Sequence, residues 1–338
     1  MIEFILSLIL AAPPAPSHVL ETKDVKRVQA VLSYEITARS LKPKEWIVVA
    51  PAMPELPGQT RVQTTMSPKG ALVKEAGAQS RGMVRARFKP GAEPKFDAQI
   101  TYTATLRSRT MRPIAVGETP PKVAPITVAE SKHYLESRGD YDFTADRFRK
   151  WLDAEKFRRG PKESEVEFAR RVFQRIQANG KYEFRDGMVR RASSVCNDLT
   201  SDCGGLSILF VSVLRANSIP ARTLFGRWAK SADPEEKLKG KAYFQWHVKA
   251  EFFVPGVGWA PVDMSLALDD KSPGRLMYFG KDAGDFLVQH VDPHVEVDTV
   301  HFGKETLHNL QTPVWWATGE GKADDWIAKE SWTVKTLK

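Results

Sequence analysis

Asp202-Cys203-Gly204-Gly205-Leu206-Ser207-Ile208-Leu209-Phe210-Val211-Ser212-Val213-Leu214-Arg215-Ala216-Asn217 is the stretch from which the fold can be read. Leu206, Leu209, Phe210, Val213 and Leu214 recur at i, i+3, i+4, i+7 and i+8, the spacing of a helix with a buried face. Asp202 is a good N-cap, and Asn217 is placed to end the helix in the left-handed region before Ile219-Pro220. Cys203 therefore falls in the first turn. There the unpaired N–H groups and the positive end of the helix dipole favour a thiolate, and Gly204 and Gly205 leave room for a substrate to approach. The competing reading is a small buried cysteine, the usual fate of a free thiol.

A nucleophilic thiolate needs a base, and acyl chemistry supplies a His held by a third group. Phe244, Trp246, Val248, Ala250, Phe252 and Val254 alternate with Tyr243, Gln245, His247, Lys249 and Glu251, which predicts a strand with His247 on its more polar face. Pro255-Gly256-Val257-Gly258 turns the chain back, and Trp259 to Asp263 forms the partner strand. A turn centred near Gly256 sets Asp263 opposite Lys249, one diagonal step from His247. Diagonal neighbours lie about 7–8 Å apart at the backbone, within reach of a carboxylate–imidazole hydrogen bond. Taken singly, a strand His is more often a surface residue and an Asp at a hairpin a turn residue. The ordered set of helix-start Cys, strand His and adjacent-strand Asp is what points to chemistry.

These motifs, with Ile219-Pro220-Ala221-Arg222, Trp246-His247-Val248 and Gly258-Trp259-Ala260-Pro261-Val262-Asp263, resemble the core of the bacterial transglutaminase-like superfamily over roughly residues 160 to 310. The resemblance implies a papain-like α+β core with Cys203 as nucleophile, His247 as general base and acid, and Asp263 as orienting carboxylate. It also implies acyl transfer or amide hydrolysis through a Cys thioester on a protein or peptide substrate. Asn197 sits where papain-like enzymes carry a Gln amide and is an oxyanion candidate, against its reading as a turn former. A non-catalytic binding module of the cell envelope, with the same fold, is the competing function. Family members often carry Gly where this chain has Asp202, and His-Ala-Trp where it has Trp246-His247-Val248.

Upstream, Val28, Ala30, Leu32, Tyr34 and Ile36 alternate with polar residues, as do Ala98, Ile100, Tyr102, Ala104 and Leu106, and Val84, Ala86 and Phe88. Residues 19–111 are accordingly expected to form an antiparallel β-sandwich. Residues 112–160 read as a proline-rich linker and helical lead-in, in which Phe148, Trp151 and Leu152 make a short apolar stripe. A helix follows, with a capping box at Ser164 and Glu167, a stripe of Phe168, Val172, Phe173 and Ile176, and a stop at Asn179-Gly180. Residues 161–338 are assigned to the transglutaminase-like domain, where Trp315-Trp316 are expected to pack a terminal strand. The fold class expected is α+β, a sandwich followed by a catalytic core.

The 338 residues suffice for two domains, and the 42% apolar and 27% charged fractions are those of a globular chain. Two cysteines, Cys196 and Cys203, exclude a disulfide scaffold but permit one bridge that would mask the nucleophile. The net charge of +9 names no partner, and no nucleic-acid motif accompanies it. Ile2 to Ala12 is apolar, too short to span a bilayer and followed by Pro13 and Pro14, so residues 1–18 read as a signal peptide. That predicts a periplasmic or extracellular protein with no integral membrane segment in the mature chain; without the signal it would be cytoplasmic. No cofactor is expected. No metal is either: His290, Asp292 and His294 alternate as on one strand face, but Pro293 interrupts them.

Overall fold

The computed structural model describes residues 17–75, 81–238, 240–269 and 276–338. Most of the expected signal peptide thus lies outside the described residues. Among the described residues no helix is long and apolar enough to cross a membrane.

The sandwich has two antiparallel sheets. In one, the strand His18–Ala38 lies between Lys95–Pro113 and Trp326–Leu337, and Gln59–Ser67 and Lys281–Asp282 pair with the far side of Lys95–Pro113. The other runs Val314–Gly321, Leu41–Pro51, Gly82–Phe88, Ala71–Lys74. The alternation read from sequence determines the register: Val28 opposes Ala104, Ala30 opposes Tyr102 and Leu32 opposes Ile100, so the apolar sets share one face. That face meets Trp46, Val48, Ala50 and Ala86 of the second sheet in a common core.

The division expected from sequence differs at the C-terminus. Val314–Gly321 and Trp326–Leu337 complete the two sheets of the sandwich and do not join the 161–313 portion. Without them, His18–Ala38 and Leu41–Pro51 would present long unpaired edges. The new strands also fill the core: Trp332 is buried in it, and Trp315 packs edge-on to Trp46 with ring centroids 5.4 Å apart.

The second body is built on a sheet ordered Gly258–Val262, Trp246–Val254, Ala221–Trp228, Phe286–Val291. The helix Cys203–Arg215 packs on it through Leu206, Leu209, Phe210 and Val213, with Phe252 from the sheet in the same core. The helix Glu165–Asn179 carries the expected capping box: Ser164 Oγ accepts from Glu167 N–H, and Glu167 accepts from Ser164 N–H. The cysteine helix ends differently from expectation. Ser218, with φ 60°, takes the left-handed conformation, while the Asn217 amide donates to Phe157 and Val213 carbonyls and accepts from Arg159 N–H.

A buried charge network ties the two bodies together. Arg109 on the sandwich strand reaches Glu251 on the strand Trp246–Val254, Arg222 donates to the same carboxylate at 2.8 Å, and Arg109 also donates to Asp282 at 3.1 Å. Burial disfavours the Asp282 carboxylate, but Lys249 and Arg109 outweigh it and hold its pKa down at about 2. The folded pKa lies below the unfolded value of about 3.9, so Asp282 stabilises the fold above that pH and loses the contribution as pH falls towards its folded value. Asp282→Asn should therefore flatten the acid limb of stability between about pH 4 and 2, read by denaturant midpoints across that range. An unchanged limb would assign the acid sensitivity elsewhere.

Candidate active site

Cys203 opens its helix as expected. The Asp202 side chain accepts from Gly205 N–H at 3.1 Å, the N-cap bond, while Arg190 grips both Asp202 carboxylate oxygens through Nε at 3.0 and 2.9 Å. Gly204 borders the cavity, as expected, and a Cβ there would also sit 3.0 Å from Arg190 Cδ. Gly205 has a different reason: a Cβ there would sit 2.0 Å from Ser201 Oγ, so it makes room for the protein's own packing. The electrostatics also differ. Burial pushes the Cys203 thiol well above its ordinary pKa and Asp202 adds to this; Arg190 opposes it, Asp263 adds again, and a hydrogen bond from Val248 N–H to the sulfur opposes. The helix start by itself does not bring the thiol below its ordinary pKa.

His247 and Asp263 are brought together by the hairpin. Ala250 pairs with Val262 and Val254 with Gly258, a register that continues to Asp263 opposite Lys249, and His247 Nε2 lies 2.8 Å from Asp263 Oδ2. Both side chains are buried. The Asp263 carboxylate is desolvated, yet the His247 charge and hydrogen bond, helped by Lys249 and Leu266 N–H, hold its pKa below the usual range. Its second oxygen accepts from Ser265 Oγ and Leu266 N–H, both at 3.1 Å, which fixes the carboxylate plane. The imidazole is clamped as well: Trp228 stacks on it at 4.4 Å, and Phe286 meets it edge-on at 5.8 Å.

Cys203 and His247 open onto one cavity of about 380 Å³. Tyr182, Phe184, Tyr243 and Trp246 contribute aromatic walls, and the buried Gln311 donates to the His247 and Gly226 carbonyls at 2.9 and 2.6 Å. Sequence reading missed Trp228, Arg190 and the two tyrosines as site residues. Trp228 ends the strand Ala221–Trp228, which is buried nearly throughout and so carries no alternation to mark the residue; Arg190 sits in an irregular segment with no signal either.

Asn197 is not part of this site. It is exposed and does not line the cavity, because the short helix Ala192–Val195 directs Ala192, Val195 and Cys196 into the core and leaves the next residue in solvent. Cys196 and Cys203 are both free thiols. Cys196 is packed in the core, donates to Ser193 C=O at 3.4 Å, and has its pKa pushed up to about 11 by burial.

His290, Asp292 and His294 do not converge. His290 accepts Leu310 N–H through Nε2 at 3.0 Å, and Asp292 is taken up by Arg215 at 2.8 Å and Tyr141 at 2.7 Å. His294 instead turns to Asp140 and His308.

Residues 153–264 match the transglutaminase-like superfamily core, a span that contains Cys203, His247 and Asp263. The crystal structure of a candidate cysteine protease from Cytophaga hutchinsonii is similar with a TM-score of 0.54 at 12% identity, over 95% of this chain and 93% of that one. The periplasmic domain of TgpA from Pseudomonas aeruginosa, bound to ethylmercury, is similar with a TM-score of 0.36 at 13% identity, over 72% of this chain and 93% of that one. No curated protein matches the sequence. The likeness to the Cytophaga structure extends beyond the matched core to the sandwich, and shows a shared fold. The chain therefore contains a transglutaminase-like superfamily core of α+β fold, joined to a β-sandwich that its own C-terminal strands complete.

Proposed function

We propose that the protein is a cysteine-dependent enzyme acting on amide bonds of a protein or peptide, by acyl transfer or hydrolysis. The observation that carries this reading is the buried His247–Asp263 pair at 2.8 Å, opening onto the same cavity as the helix-start Cys203. Asp263 holds the proton on Nε2, so Nδ1 is the nitrogen that takes the thiol proton. Thiolate attack on the amide carbonyl gives a tetrahedral intermediate whose oxyanion meets the Cys203 N–H at the positive helix start. His247 then protonates the leaving amine, and the C–N bond breaks to leave a thioester on Cys203. Water or an acceptor amine, deprotonated by His247, attacks the thioester and returns the thiol. The aromatic walls suit an apolar segment beside the reacting amide. The apolar run Ile2 to Ala12 supports action in the periplasm or outside the cell.

The test is acid-quenched mass mapping of the Cys203 peptide after incubation with a peptide library. An acyl mass on Cys203 is expected, absent in Cys203→Ala. Asp263→Asn should slow its appearance by roughly 10⁴-fold, because the wrong imidazole tautomer then faces the thiol. Unaltered kinetics in Asp263→Asn would remove the triad reading. No acyl adduct in the wild-type protein would leave the fold as a binding module.

A further inference from the structure

Away from the thiol, Asp140, His294 and His308 point one ligand atom each into a common space, all within 4.8 Å of one another. We propose that these three residues bind a zinc-class divalent transition-metal ion. The inference does not rest on the catalytic reading of Cys203.

The spacing fits. Asp140 Oδ2 lies 3.3 Å from His294 Nε2 and 3.0 Å from His308 Nδ1. Ligand atoms about 2.0–2.2 Å from a tetrahedral zinc ion stand roughly 3.3 Å apart, so small adjustments would place an ion among them. Two imidazoles and one carboxylate form a donor set suited to zinc and its first-row neighbours. His294 Nε2 is buried and faces Asp140 Oδ2 at 3.3 Å without good hydrogen-bond alignment, while His308 Nε2, the nitrogen facing away from Asp140, is buried with no hydrogen-bond partner. Coordination would give the first a better-aligned partner, and a water or substrate group would offset the desolvation cost of the second.

The backbone is built to hold this arrangement. His294 N–H donates to His308 C=O at 2.9 Å, locking two of the ligands together, and Asp140 C=O accepts from Ala192 N–H at 2.9 Å. His294 itself has φ 59°, in the left-handed region that few residues other than glycine adopt. At Gly139, with φ 55°, a Cβ would lie 2.5 Å from His294 Cδ2, so any side chain there would displace the ring. Next to Asp140, Tyr141 is anchored through its hydroxyl to Asp292 at 2.7 Å. The site is also reachable, with side-chain exposures of 36% for His294 and 31% for His308. His308 also borders the cavity that holds Cys203.

The experiment uses the full chain, stripped with chelator, loaded with Zn²⁺ or Co²⁺, desalted and assayed for metal by mass spectrometry, with a Co²⁺ absorption spectrum on the same sample. One equivalent is expected in wild type and in Cys203→Ala, with a cobalt spectrum free of thiolate charge transfer. His308→Ala and the near-isosteric Asp140→Asn should each weaken binding by more than the about 10–100-fold typical of outer-shell changes. Circular dichroism checks folding, and Asp140→Asn decides if His308→Ala does not fold. Failure of folded wild-type protein to retain metal at micromolar concentration overturns the proposal. So does metal lost in Cys203→Ala but kept in Asp140→Asn, which would put the ion on the thiol. Labelling of Cys203 is read separately, so either proposal can fail without the other.

Discussion

Iodoacetamide should label Cys203 in the wild-type protein below about pH 8.5, the ordinary thiol value, and His247→Ala should move that labelling above it. The argument is one of charge. Burial and two neighbouring carboxylates, Asp202 and Asp263, disfavour a lone thiolate at Cys203. A thiolate beside an imidazolium adds no net charge to the buried site, so the pair can form where the lone ion cannot. Asp263 Oδ2, 2.8 Å from His247 Nε2, holds the imidazole in the orientation the pair needs. Removing His247 leaves burial and the two carboxylates, only partly opposed by Arg190 and Val248 N–H, and Cys203 should then react more slowly than a free thiol. Cys196 is the internal control, since it is packed in the core and should stay unlabelled in both proteins. In turnover, loss of either Cys203 or His247 should cost on the order of 10⁶-fold, as in triads whose members act as a unit. Equal labelling of the two proteins at every pH would sink the ion-pair account.

Glu251→Ala should be the most damaging single change to stability. The Glu251 carboxylate is fully buried between Arg109 of the sandwich and Arg222 of the core sheet. Deleting it leaves two guanidinium groups in the interior, one from each body. Breaking a buried ion pair from one side typically costs about 3–5 kcal/mol, and here two pairs lose their partner. Asp282 still faces Arg109, and the Trp259 ring lies 3.9 Å from the Arg222 guanidinium, which limits the loss. The measurement is denaturant unfolding followed by fluorescence. Replacing Glu251, Arg109 and Arg222 together by apolar residues of similar volume should cost less than Glu251→Ala alone, because no charge is then stranded. A single variant as stable as wild type would show that water reaches the network.

Much of the site was legible because its signals are local. The helix phase from Leu206 to Leu214 and the Asp202 cap set Cys203 in the first turn, and the turn at Gly256 set the register that joins Asp263 to His247. Alternation along 28–37 and 98–106 was enough to make Val28, Ala30 and Leu32 face inward and to imply a sandwich. Each depends on residues within a few turns or one hairpin of each other, where spacing translates directly into geometry.

The rest depends on contacts between segments far apart in the chain. The strand Trp326–Leu337 pairs with His18–Ala38 across the length of the chain, and alternation alone does not say which open edge a strand will cover. Asn197 looked like an oxyanion donor by its offset from Cys203, but a short helix turned it to solvent. Desolvation of the thiol is a property of the packed site, and no pattern near Cys203 announces it. Asp140 meets His294 and His308 by long-range folding, while sequence alone offered only the alternation of His290, Asp292 and His294, set aside as a metal site because Pro293 interrupts it. Which side chains share a face of the helix Cys203–Arg215 and of the hairpin at Gly256 could be read from spacing, because facing follows from backbone periodicity. Which faces meet, and how far water is excluded between them, follows from packing of the whole chain.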